Sequence, residues 1–207
     1  MNNGFLLAID YVGTFAFAIS GAVAAQQKRM DIFGIVVIAF VTACAGGVMR
    51  DVSIGALPPA GLSQLPYLVV SLLAVIATLL TLKLIDKLMY PVLFFDAIGL
   101  SFFAIFGAYK TLDRTNNVEM AVLMGITSAV GGGVLRDVLL NRVPVIFHKD
   151  IYATAALLGA GLLVLGVSLG LPLFWTSLVA AGSCLVLRLL SLQYGWRLPS
   201  FPRREDK

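Results

Sequence analysis

The chain has 207 residues, 59% of them hydrophobic and 13% charged, with a net charge of +4 and a mean hydropathy of +0.95. A soluble domain is nearer about 45–50% apolar and about 25% charged, so these residues could not cover a water-facing surface of this size. A soluble enzyme, a disordered chain and a secreted disulfide scaffold are excluded, which leaves an all-α polytopic membrane protein. Cys44 and Cys184 lie in apolar runs and read as small buried side chains, while His148 is the single histidine, so no metal cluster or histidine-based triad can be assembled. No catalytic set, metal or resident cofactor is expected. The lack of a basic stripe with interleaved aromatics argues against nucleic acid as a partner.

Seven apolar runs are long enough to cross a bilayer with their backbone bonds made internally. The first, Phe5–Ala25, has no Lys or Arg before Lys28, so it lacks the basic flank of a cleaved signal peptide and is expected to remain as a helix. The polar turn Gln26-Gln27-Lys28-Arg29 separates it from Ile32–Met49, which ends before Pro58-Pro59-Ala60-Gly61. Next come Leu65–Leu82, closed by the charged stretch Lys83 to Lys87, and Pro91–Tyr109, closed by the polar loop Thr111–Asn117. Val118–Leu140 is the fifth span. Residues 151–187 carry no charge and are too long for one crossing, so Gly170-Leu171-Pro172 divides them into Ile151–Leu169 and Pro172–Leu192.

Placing the C-terminus in the cytoplasm puts Lys28, Arg29, Lys83, Lys87, Arg142, Lys149, Arg188, Arg197, Arg203, Arg204 and Lys207 inside and only Lys110 and Arg114 outside. That bias predicts an external N-terminus and a basic cytoplasmic tail over 193–207.

The chain also matches itself at a spacing of 86 residues. Asp10-Tyr11-Val12-Gly13 falls on Asp96-Ala97-Ile98-Gly99, and Phe17-Ala18-Ile19 on Phe103-Ala104-Ile105. Gly46-Gly47-Val48-Met49-Arg50-Asp51-Val52 falls on Gly132-Gly133-Val134-Leu135-Arg136-Asp137-Val138, and Pro58 on Pro144. Low-complexity apolar sequence does not match at Asp, Arg-Asp, paired Gly and Pro together by accident. The single membrane domain, 1–207, therefore reads as a three-helix unit over 5–85, a second over 91–170 and a seventh helix over 172–192. An odd number of spans per unit inverts the second copy relative to the first, and inverted copies commonly enclose a pathway near the midplane.

Three features of the repeat suggest chemistry. Three consecutive glycines, Gly131-Gly132-Gly133, disfavour a helix by roughly 2–3 kcal/mol, and Ala45-Gly46-Gly47 holds the matching place in the second span. Such a run either kinks a helix, freeing carbonyls to face a monovalent cation, or lets two helices pack closely. Thr42, Thr127 and Ser128, a turn earlier, either line a hydrated path or bond their own backbones. The second feature is the charges Arg50, Asp51, Arg136 and Asp137. Adjacent helical residues point about 100° apart, which argues against pairing within each Arg-Asp, whereas depth favours contacts Asp10–Arg50 and Asp96–Arg136, one at each mouth. The third is the basic rim Lys28, Arg29, Lys83 and Lys87, which fixes orientation and offers a site for anionic lipid. The Gly166/Gly170 pair matches the GxxxG association pattern weakly.

On the doubled Gly-Gly-Val-x-Arg-Asp-Val motif, with its leading Asp96-Ala97-Ile98-Gly99 and Asp10-Tyr11-Val12-Gly13, the chain resembles the prokaryotic trimeric intracellular cation channel (TRIC) family, also labelled a glycine transporter domain. The similarity covers about residues 5–190. It implies seven helices in two inverted units plus one, a homotrimer with a pore in each protomer, and potassium as the main ion. It also implies a pore formed by helices two and five, kinked at Gly46-Gly47 and Gly131-Gly132-Gly133. The expectation is a monovalent cation channel, permeant to K+ or Na+, in a bacterial or archaeal inner membrane, with membrane lipid as a neighbour. The alternative is a secondary transporter of a small amino acid such as glycine, since inverted repeats also suit alternating access.

Overall fold

A computed structural model of the chain describes residues 3–85, 88, 90–147 and 151–196. Those residues form α1 Asn3–Gln27, α2 Ile32–Ser53, α3 Ala60–Ser63, α4 Leu65–Ile85, α5 Pro91–Thr115, α6 Val118–Leu139, α7 Ala153–Ser168 and α8 Leu173–Tyr194, with a 3₁₀ turn at Val145–Phe147. Six helices have the length and apolarity of a membrane span, and α7 is a shorter apolar helix. At 16 residues, α7 rises roughly 24 Å, less than the ~30 Å hydrocarbon core. The seven apolar helices follow the predicted order, and the chain is a multi-pass membrane protein.

Two boundaries moved for identifiable reasons. The single turn α3 forms directly after Pro59, where only a break was expected. The fourth predicted span continues through its polar end to Thr115 because α2 provides partners for the charges there. Arg114 donates from Nε to the carbonyl of Ile54 at 3.2 Å and from Nη2 to that of Gly55 at 2.9 Å. Those carbonyls lie just beyond the C-terminus of α2, where a cation is favoured.

The second helix of each unit starts the same way. Asp31 caps α2 by accepting from Gly34 N at 2.7 Å, and Asn117 caps α6 by accepting from Met120 N at 2.8 Å. These two caps stand at the 86-residue spacing. The Gly166/Gly170 pair is used within one hairpin. A side chain on Gly166 would strike Thr176 of α8, and Gly170 takes a φ of +73° in the connecting turn, a conformation that favours glycine.

The first helices of the two units, α1 and α5, cross in opposite directions. Ser20, late in α1, donates to the carbonyl of Val92, early in α5, at 2.8 Å. Leu6 and Ile9, early in α1, pack with Phe106, late in α5. Between these ends Phe17 and Phe103 stack with centroids 5.3 Å apart. Each ring covers the other unit's glycine: a Cβ on Gly99 would strike Phe17, and one on Gly13 would approach Phe103 to 3.1 Å. The units are therefore inverted about an axis near this aromatic pair, and α8 lies outside both, packed on α7 and α5.

Candidate functional site

The glycine runs lie where α2 and α6 meet. A Cβ on Gly46 would strike the carbonyl oxygen of Ser128, and one on Gly132 would strike that of Thr42. Each helix thus presses a glycine against the backbone of its inverted mate. Gly131 faces Gly46, with 3.0 Å between its projected Cβ and the Gly46 Cα, while Gly133 faces Tyr152 and Asp96. Gly47 is looser, with nothing nearer its projected Cβ than Arg50 Nη2 at 3.7 Å. Both helices keep helical turns through their runs, so close approach is what the glycines provide in this conformation. Thr42 and Ser128 are fully buried at the crossing. Thr42 bonds its own helix, donating to Ile38 O at 2.6 Å, and half-buried Thr127 donates to Leu123 O at 2.8 Å. In this conformation the central layer is closely packed.

Charges gather at the two ends of this crossing. At the Asp96 end, Arg136 is 1% exposed. Its Nη1 donates to Asp96 Oδ1 at 2.6 Å and to Ser20 Oγ at 2.7 Å, and its Nε to Asp137 Oδ1 at 2.9 Å. The far oxygen of Asp137 accepts from Val145 N at 3.2 Å. At the Asp10 end, Arg50 Nε donates to Asp51 Oδ1 at 2.9 Å, and Asp51 Oδ2 accepts from Ala60 N at 3.1 Å. Arg50 also reaches Ser128 Oγ at 3.3 Å and lies 5.0 Å from the centre of the Phe106 ring. Buried charges need such partners, because neither ion keeps its hydration shell.

The arrangement amends two sequence expectations. Arg50–Asp51 and Arg136–Asp137 do pair, despite being neighbours. Each arginine lies in the last turn of its helix, and its long side chain folds back so that the guanidinium meets the adjacent carboxylate. That carboxylate in turn holds the following loop through a backbone N–H. The contact Asp96–Arg136 is present, but no ion pair joins Asp10 to Arg50 among the described residues. Tyr67 occupies Asp10 instead, donating its hydroxyl to Oδ2, and Arg50 is drawn to Asp51. The basic rim is partly in view. Lys28 and Arg29 are exposed in the α1–α2 turn, Lys83 lies in the last turn of α4 with its side chain undescribed, and Lys87 and 197–207 lie outside the described residues.

Several site residues escaped the sequence reading. Lys110 binds both oxygens of Asp51, at 2.8 and 2.9 Å, yet its position in the other copy is Ala24. Ser20 holds Arg136, but its counterpart is Phe106, so a hydrogen bond at one end becomes a cation–π contact at the other. Tyr67 and Tyr152 both lie beside the first-helix carboxylate of their own unit, 85 residues apart. The gap-free match ends at Pro58 and Pro144, and a one-residue shift after it would have revealed the pair. The ends also differ in open space. A cavity of about 320 Å³ at the Asp96 end is lined by Gln27, Tyr90, Arg136, Asp137 and Arg142 among others. At the Asp10 end, between Asp10, Cys44, Arg50 and Tyr67, about 10 Å³ remains, room for roughly one water.

Comparison with known proteins agrees with this geometry. Residues 7–83 and again 93–168 match the family described as Glycine transporter, and the two matches start at the spacing of the internal repeat. The orthologue of the trimeric intracellular cation channel from Rhodobacter sphaeroides superposes with a TM-score of 0.88 at 32% identity, covering 93% of this chain and 99% of that one. The chain belongs to the prokaryotic TRIC family. A second TRIC cation channel, solved to explain conductance, superposes with a TM-score of 0.85 at 38% identity over 95% of this chain and 97% of that one. The UPF0126 inner membrane protein YadS of Escherichia coli K12 is 36% identical over 205 residues, 96% of this chain and 97% of that protein. A UPF0126 membrane protein of Vibrio cholerae is 33% identical over 202 residues, 97% and 84% of the two chains.

Proposed function

We propose that this chain is a monovalent cation channel, potassium being its main ion, with one pathway inside each protomer of a homotrimer. The observation that carries the reading is the pair of charged ends, Asp10/Arg50/Asp51 and Asp96/Arg136/Asp137, at opposite ends of one α2–α6 contact made by glycine. Carboxylates concentrate cations at a mouth. Between the mouths the α2–α6 contact is closed by Gly46 and Gly132. Conduction requires the two helices to part there, by bending at the glycine runs, which exposes the carbonyls of Thr42 and Ser128 to a partly dehydrated ion. Selectivity among monovalent cations is modest, because no dense ring of carbonyls such as TVGYG is present in the sequence.

In this reading the protein lies in the inner membrane with its N-terminus outside. The Asp96 end and the basic rim, Lys28, Arg29, Lys83 and Lys87, face the cytoplasm beside anionic lipid. Purified protein in a planar bilayer should give unitary potassium currents. A bilayer that stays silent with monodisperse protein, while proteoliposomes hold a potassium gradient, rejects the proposal.

The description of the matching family, Glycine transporter, favours a second reading, secondary transport of a small zwitterion between the same two ends. The two differ in rate and saturation. A transporter gives slow uptake of labelled glycine that saturates, whereas a channel dissipates a potassium gradient without glycine.

A further inference from the structure

The seventh apolar helix lies outside both repeats, yet it brings a charge to the site. Arg188 of α8 is 0% exposed. Its Nη1 donates to the carbonyl of Ile151 at 3.2 Å, and its guanidinium lies 4.7 Å from the centre of the Tyr152 ring. Among the described residues its Nε and Nη2 have no hydrogen-bond partner, and neither does Asp96 Oδ2, while the Tyr152 hydroxyl and Asp96 both face Gly133. Arg188 and the Tyr152 ring thus stand behind the Asp96–Arg136 pair. An arginine stays charged in such a place, and the Tyr152 ring it covers lies beside Asp96.

The two ends can now be compared charge by charge. Among the described residues each has two carboxylates and the arginine of the repeat, which leaves one negative charge in excess; Arg142 also lines the cavity at the Asp96 end but bonds no carboxylate there. At the Asp10 end Lys110 offsets it through a direct salt bridge to Asp51 and remains 28% exposed. At the Asp96 end no described lysine or arginine other than Arg136 bonds a carboxylate.

We propose that Arg188 is the offsetting charge of the Asp96 end, acting across the Tyr152 ring, and that it sets how strongly this end attracts permeant cations. The inference rests on the channel reading and assigns α8 a part in it. Arg188 bonds neither carboxylate, so removing its charge leaves the Asp96–Arg136–Asp137 pairs intact and the end one charge more negative.

The test compares unitary potassium currents of wild type, Arg188→Gln, Arg188→Met and Arg188→Lys in planar bilayers. At about 50 mM KCl the two neutral variants should carry roughly threefold more current than wild type, and the difference should shrink at about 1 M as salt screens the field. Arg188→Lys should stay at the wild-type level. Neutral variants that match wild type at low salt overturn the proposal. So does an equal shift in Arg188→Lys, which marks packing rather than charge. If both neutral variants lose the wild-type gel-filtration profile, Arg188 is a folding charge and the proposal also fails. A silent wild type rejects the channel reading itself, whereas a conducting wild type with unaltered variants rejects only the role of Arg188.

Discussion

Gly46 and Gly132 have no space for a side chain, because the opposing helix presents its backbone carbonyl there and backbone cannot swing aside. Gly46→Ala and Gly132→Ala should therefore each destabilise the folded protein by about 1–3 kcal/mol, seen as a lower unfolding midpoint in detergent. Gly47→Ala, which meets only the end of a flexible arginine, should stay within about 0.5 kcal/mol of wild type. If all three behave alike, the close α2–α6 contact is not what the glycines provide. The charged residues differ in kind. Arg136→Met strands Asp96 and Asp137 in a buried place, and breaking such a pair typically costs about 3–5 kcal/mol. The same denaturation measurement checks it. Sequence reading singled out these residues from the repeat alone. It missed Ser20 and Lys110, since nothing in a linear string marks which hydroxyl or amine will lie opposite a given charge, and it missed Tyr67 and Tyr152 because their match is shifted by one residue.

Helix α4 enters the bundle through Tyr67, which ties its first turn to Asp10 in α1. The cleft between them contains Cys44, buried and unpaired. Tyr67→Phe removes that tie and leaves the ring and its edge contact with Tyr11. In a Cys184→Ser background, a membrane-impermeant thiol reagent should modify Cys44 slowly in otherwise wild-type protein and several-fold faster in the Tyr67→Phe variant. Equal rates would show that Tyr67 does not close the Asp10 end. Helix boundaries were legible where polar residues or a Gly-x-Pro turn broke an apolar run, as at Gln26 to Arg29 and at the hairpin before Leu173. They were not legible at the end of α5. Lys110 and Arg114 look like loop residues in sequence but bond Asp51 and the carbonyls of Ile54 and Gly55.

At the scale of the molecule the two units run in opposite senses, and the lysines and arginines are distributed to match. The inside bias predicts that Lys28→Cys, in the α1–α2 turn, and Asn116→Cys, between α5 and α6, face opposite aqueous sides. In intact cells of a Cys44→Ser, Cys184→Ser background, an impermeant maleimide should label the Asn116→Cys variant and spare the Lys28→Cys variant until the membrane is opened. The reverse pattern would place the N-terminus in the cytoplasm and exchange the two mouths. The two ends differ in open space, about 320 Å³ against about 10 Å³, so in the channel reading the orientation sets which side of the membrane meets the narrower one.

Composition and the 86-residue repeat, both present in the sequence, were sufficient for a membrane bundle, its seven apolar helices, its inversion and the candidate glycines, arginines and aspartates. These properties survive projection onto a line, because hydrophobic length, periodicity and duplication depend on residues close in sequence or at one fixed offset. The tertiary structure alone decided that the glycines meet carbonyls across the axis, that each arginine folds onto its own neighbour, that Tyr67 takes Asp10, and that Arg188 stands behind Tyr152. The glycine and arginine contacts keep the repeat but depend on packing and side-chain conformation, Tyr67 and Tyr152 depart from it by one residue, and Arg188 in α8 lies outside it. A buried charge takes whichever partner the packing brings within about 3 Å.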